Sequence, residues 1–144
     1  MIAAVAMTGS YICVKTIMYT CAKTLGLIYY MNQDCDKGDF KEINKVLLMS
    51  DIKKRVAKTH KLLTTMDHIH PAVCMCVQDL YETILNINTL LEQSLSIKQE
   101  HGKKYLSTWR SLQLPSSELN TQIQLFNIRF DDLVKITTIV HYLN

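Results

Sequence analysis

Four glycines and two prolines are all that this 144-residue chain holds of the residues that loosen or break a backbone. Turns must be few, and long helices are what such a composition favours. Net charge is also scarce. At +3 it is too small for the chain as a whole to be a nucleic-acid binder. Paired cysteines are missing too: Cys13, Cys21, Cys35, Cys74 and Cys76 are odd in number and follow no disulfide-framework spacing. Reduced thiols in an intracellular, reducing compartment are expected. The apolar start lacks a basic segment before it, so a secretory signal is not expected. Absent as well are the P-loop, G-x-G-x-x-G, H-E-x-x-H and G-x-S-x-G patterns. The adjacent carboxylates Asp131-Asp132 and the nearby pair Asp34 and Asp36 read as solvated positions, and no Ser or Cys has an evident base. The expectation is a protein that is not an enzyme, with no cofactor and no small-molecule substrate.

What is present divides the chain in two. Ile2 to Met31 is almost wholly apolar or small, with Lys15 and Lys23 its only charges, whereas everything after Asp34 is densely charged. Hydrophobic residues at 48% and charged residues at 20% fit a folded chain and not a disordered one. The length suits one compact core. Residues 1–31 are expected to form an apolar helix, membrane-associated or buried in an assembly, and residues 39–144 a helical domain.

A bilayer crossing by the first segment is marginal on energy. Ile12, Val14, Ile17, Leu25, Leu27 and Ile28 together supply about −3 kcal/mol of insertion free energy, and one central Lys costs about as much. These six residues are the expected membrane or assembly contacts. On a helical wheel Thr8, Lys15, Tyr19 and Lys23 form one narrow polar stripe, compatible with a span, with a helix in the headgroup layer, or with burial in protein. Tyr29, Tyr30 and the basic run downstream fit an aromatic belt followed by membrane-proximal lysines.

Beyond residue 38 the pattern is helical. Asp39 and Glu42 have capping-box spacing, and Ile43, Leu47, Ile52, Val56, Leu63 and Met66 follow as an apolar face. His70-Pro71 interrupts it, with Pro71 suited to a first helical position. Val73, Val77, Leu80, Ile84, Ile87 and Leu91 then recur at steps of four and three, the seam pattern of packed helices. Gly102 is placed to end that helix. A short helix is expected around Tyr105, Trp109 and Leu112, closed by Pro115. Ser116 or Ser117 then opens a last helix with Leu119, Ile123, Phe126, Phe130, Leu133 and Val140 in phase. Helices over 39–67, 71–101 and 116–143 would each be about 40–46 Å long. The fold expected is all-α: the apolar N-terminal helix followed by an antiparallel up-down bundle of three long helices.

Three clusters carry chemistry. Lys53, Lys54, Arg55, Lys58 and Lys61 form a basic run without an acid, and Lys54, Lys58 and Lys61 share one helix face. The run is either a solvated helix face or a site for an anionic partner, lipid headgroups fitting best because the oily segment could bring a membrane near. No aromatic residue interleaves it in sequence, which argues against single-stranded nucleic acid. Trp109 and Arg110 are interface candidates or, in Trp109, a core cap. His68, His70, Cys74 and Cys76 supply zinc-type ligand atoms at the wrong spacing: on a helix opened by Pro71, the two cysteines lie about 200° apart. No metal site is expected.

These features suggest a non-enzymatic structural protein. Its bundle would be held in or against a membrane by its first helix, in contact with other subunits of a large assembly such as the minor capsid or capsid–membrane linker of a virion. The alternative is a soluble four-helix adaptor that binds an acidic protein or other anionic partner through its basic face. The position of the first helix discriminates: an anchor projects it away from the body, an adaptor packs it onto the seams.

Overall fold

The computed structural model describes residues 4–7, 10–33, 40–65, 70–103 and 114–143. Within them the protein is helical, with five α-helices and one short hairpin. The hairpin pairs β1 (Ala4–Met7) with β2 (Ser10–Cys13) in antiparallel register, Ala4 opposite Cys13 and Met7 opposite Ser10. The helices are α1 (Val14–Gln33), α2 (Lys41–Met49), α3 (Ile52–Thr64), α4 (Pro71–Lys103) and α5 (Ser116–Leu143).

The hairpin corrects the expectation of one helix over residues 1–31. The register leaves only Thr8 and Gly9 between the strands, and Val5, Tyr11 and Ile12 are β-branched or aromatic types that favour extended backbone. Helix therefore begins only at Val14.

The helix expected over 39–67 is two helices. Its apolar positions give the reason: Ile43 to Leu47 is a step of four, but Leu47 to Ile52 is a step of five, which a continuous helix would rotate off the core. The chain takes up the extra residue at Asp51, whose φ of 57° is left-handed, a conformation that Asp tolerates better than most residues. Ser50 closes α2 by donating its N–H to the Val46 carbonyl and its hydroxyl to that of Leu47. Ile43, Leu47, Ile52, Val56 and Leu63 thereby all stay buried.

Helix starts differ in detail. Glu42 lies in the first turn of α2, but Phe40 stands before that helix without a side-chain cap, and Asp39 is outside the described residues. Pro71 opens α4 as its spacing predicts; His70 Nδ1 accepts the Ala72 N–H at 3.1 Å and the His70 carbonyl accepts the Cys74 N–H at 2.9 Å. Gly102 does not end α4, which continues to Lys103. The short helix expected around Tyr105, Trp109 and Leu112 falls outside the described residues.

One core joins these elements. The α4 seam residues Val73, Val77, Leu80, Ile84, Ile87 and Leu91 are all buried, as are Leu119, Ile123, Phe126 and Leu133 of α5 and Ile17, Cys21, Ile28 and Met31 of α1. α4 packs against α1, α5 and β1; α3 packs against α1 and α5; α2 packs against α5 and α1. Arg129 reaches back to Asp79 and Glu82 while Gln122 meets Asn86, so α4 and α5 run in opposite directions. Buried hydroxyls are satisfied locally, whereas the buried amide of Asn44 donates across helices to the Met31 carbonyl at 2.6 Å and its Oδ1 has no partner among the described residues. The hydroxyls of Thr20, Thr59 and Ser94 each donate to the carbonyl one turn back, so helix interiors carry them without orphaned donors.

Candidate functional site

The basic run is on α3, which divides it in three. At about 100° per residue, Ile52, Val56, Thr59 and Leu63 cluster on the buried side. Lys54, Lys58 and Lys61 fall opposite, within about 60° of one another, and all are exposed. Lys53 lies on the flank toward α1, its Nζ 5.7 Å from the centre of the Tyr29 ring. Arg55 lies on the other flank, its guanidinium 5.5 Å from the Phe130 ring centre and 3.3 Å from the Asp131 carboxylate. Five basic residues in sequence thus become one arginine engaged with α5, one lysine engaged with α1, and three lysines facing outward. Among the described residues, none of these three has an acidic group within ion-pair distance.

The six apolar residues expected at a membrane or assembly contact are divided among different settings. Val14, Ile17 and Ile28 are buried in the core, Leu25 and Leu27 are half-buried against it, and Ile12 belongs to β2. What α1 turns outward is polar and aromatic: Lys15, Tyr19, Tyr29 and Tyr30 are exposed. Lys23 lies on the α4 side, its Nζ 2.6 Å from Glu92, and the hydrogen bond and the negative charge of Glu92 raise its pKa. Among the described residues, no helix is long and apolar enough to cross a membrane.

The sequence-local reading missed the aromatic component of the basic surface. Tyr29 is distant from Lys53 in the chain, and only the packing of α1 on α3 brings them together. The available signal was the dipeptide Tyr29-Tyr30, at the end of a segment otherwise read as oily. Trp109 and Arg110, the interface candidates, are outside the described residues, as is His68. Among the described residues, no group of three or more His, Cys, Asp or Glu is placed to hold a metal ion. Cys74 is buried and Cys76 half-buried on α4; burial first, then the charges of Asp132 and Asp79, push the Cys76 thiol up.

Two grooves are lined without any residue of α3. One, of about 510 Å³, lies between α2 and α5 and is lined by Val46, Met49, Ser116, Asn120, Ile123 and Asn127. The other, of about 440 Å³, lies between α4 and α5 along Asn86, Leu90, Thr121 and Gln122. Glu42 and Glu118 are their carboxylates, and neither lining includes a His or Cys that could serve as base or nucleophile.

Comparison with protein-family models, with curated proteins and with solved structures gives no match to this chain.

Proposed function

We propose that this protein is a non-enzymatic adaptor or assembly component, an antiparallel up-down helical bundle that binds an anionic partner through the outer face of α3. The observation that carries this reading is the outward array of Lys54, Lys58 and Lys61, without an ion-pair partner among the described residues, on a helix without a single acid. Each lysine held near a negative surface adds favourable Coulomb energy, and among the described residues none of the three is consumed by an internal counter-charge.

The position of α1 favours the adaptor over the anchored form. A helix set in a bilayer turns its apolar side to lipid, yet Ile17 and Ile28 are only 1% and 0% exposed. In this reading the N-terminal helix completes the bundle and is not a tether. Its setting would be a reducing compartment and a larger assembly, of which a virion is one example. Ile128, Ile139 and Tyr142, exposed along α5, would meet neighbouring subunits there.

Retention on immobilised heparin, a generic polyanion, tests the proposal. The wild-type protein should bind at low salt and elute as salt rises, whereas a Lys54→Gln, Lys58→Gln, Lys61→Gln variant should pass through. Equal elution of the two proteins would remove α3 as the binding face.

A further inference from the structure

We infer that the partner of this face is an anionic lipid surface, engaged by the lysines of α3 together with the tyrosines of α1. The inference rests on the anionic-partner reading above and gives that partner its chemistry. Neither α1 nor α3 contains an Asp or Glu, so the outward residues of these two packed helices include no acid. Among them Tyr19, Tyr29 and Tyr30 are 68%, 57% and 57% exposed. The Lys53–Tyr29 contact ties the aromatic and basic parts to each other.

Three features select lipid over other anions. Tyrosine rings have an apolar body and a polar tip, and they settle at the headgroup level of a bilayer. The outward charges are all lysines, compact point charges suited to the diffuse field of anionic headgroups. The one arginine of α3, whose forked guanidinium would suit bidentate recognition of individual phosphates, is engaged with Asp131 and Phe130. Finally, single-stranded nucleic acid is held in basic grooves with stacking platforms, and no α3 residue lines either the α2–α5 or the α4–α5 groove. The bilayer contact is therefore peripheral: α1 remains folded into the core while its outer rings and the α3 lysines meet the headgroups.

Co-sedimentation of the full chain with vesicles of phosphatidylcholine, with and without about one-third phosphatidylserine, tests this directly. A fluorescent single-stranded oligonucleotide is titrated in parallel. The protein should bind the phosphatidylserine vesicles, and pure phosphatidylcholine at least tenfold more weakly, as expected for several lysines each contributing on this scale. Lys54→Gln, Lys58→Gln, Lys61→Gln should weaken vesicle binding about 100-fold, and Tyr29→Ser, Tyr30→Ser about tenfold, with helical circular dichroism unchanged in both. Full binding by the tyrosine variant would overturn the inference, as would oligonucleotide binding tighter than vesicle binding. Retention on heparin without vesicle binding removes the lipid assignment alone; loss of both removes the anionic-partner reading with it.

Discussion

Thr24 of α1 and Asn88 of α4 meet inside the core, the Asn88 Nδ2 donating to Thr24 Oγ1 at 3.1 Å. Thr24 in turn donates its hydroxyl to the Thr20 carbonyl at 2.8 Å, so the Asn88 amide nitrogen and the Thr24 hydroxyl each have a partner although the two residues are 4% and 0% exposed. Between two otherwise apolar surfaces, such a polar contact favours one register, because any slide along the helix would leave a buried amide unpaired. Thr24→Val should cost about 1–3 kcal/mol in urea unfolding, since it removes the acceptor and strands Asn88. Asn88→Leu should cost less, because the Thr24 hydroxyl keeps Thr20. The double variant should be no less stable than Thr24→Val, and simple additivity of the two losses would contradict the pairing.

Burial of α1 makes a second, blunter prediction. Ile28→Ala should destabilise the protein by about 2–5 kcal/mol, the range for emptying a packed aliphatic site. Tyr19→Ala, on the exposed side of the same helix, should stay within about 0.5 kcal/mol of wild type. A silent Ile28→Ala would mean that α1 does not belong to the core.

Asp51 offers a backbone test. Its left-handed φ excludes β-branched side chains, so Asp51→Val should lower stability by about 1–2 kcal/mol, while Asp51→Gly should be nearly neutral because glycine adopts this conformation without strain. Thermal melts of the two variants should therefore separate clearly, with Val the lower. Coincident melting curves would show that the junction between α2 and α3 does not depend on that geometry.

The thiol of Cys21 links stability to alkaline pH. Burial pushes its pKa from 9.0 up to about 12. Its neutral form is therefore held in the folded protein while the unfolded chain ionises freely. Above pH 9 the unfolded state binds fewer protons than the folded one, so stability falls as pH rises, and the loss continues until the folded thiol itself ionises near 12. The slope attributable to this group approaches about 1.4 kcal/mol per pH unit. Chemical denaturation from pH 8.5 to 10.5 should show wild type losing stability faster than Cys21→Val. Parallel curves would mean that the thiol is not buried in the folded state.

The seams were legible in the sequence for a simple reason. Val73 through Leu91 and Leu119 through Leu133 follow helical spacing, and a helix buried on one side must repeat in this way. The phase slip between Leu47 and Ile52 was equally visible, although reading Ile43 to Met66 as one face passed over it. Other features depended on distance in the chain. The apolar content of residues 2–31 gave no sign of whether those side chains meet lipid, strand neighbours or other helices, since hydropathy does not depend on the identity of the apolar surroundings. For the candidate surface, the α3 lysines were readable as a run. Their separation into outward and engaged members, and their tyrosine neighbours, required the packing of α1 and α5.

The contact between Thr24 and Asn88 spans 64 residues of sequence. During synthesis α1 leaves the ribosome well before the α4 surface that will cover it. At ordinary elongation rates the delay between the two positions is about 3–13 s. For that interval Ile17, Ile28 and Met31 have no α4 partner, whatever transient cover the chain finds. The nascent protein therefore presents an oily N-terminal stretch to the cell that the finished fold conceals, and its early engagement by chaperones need not reflect where the mature protein resides.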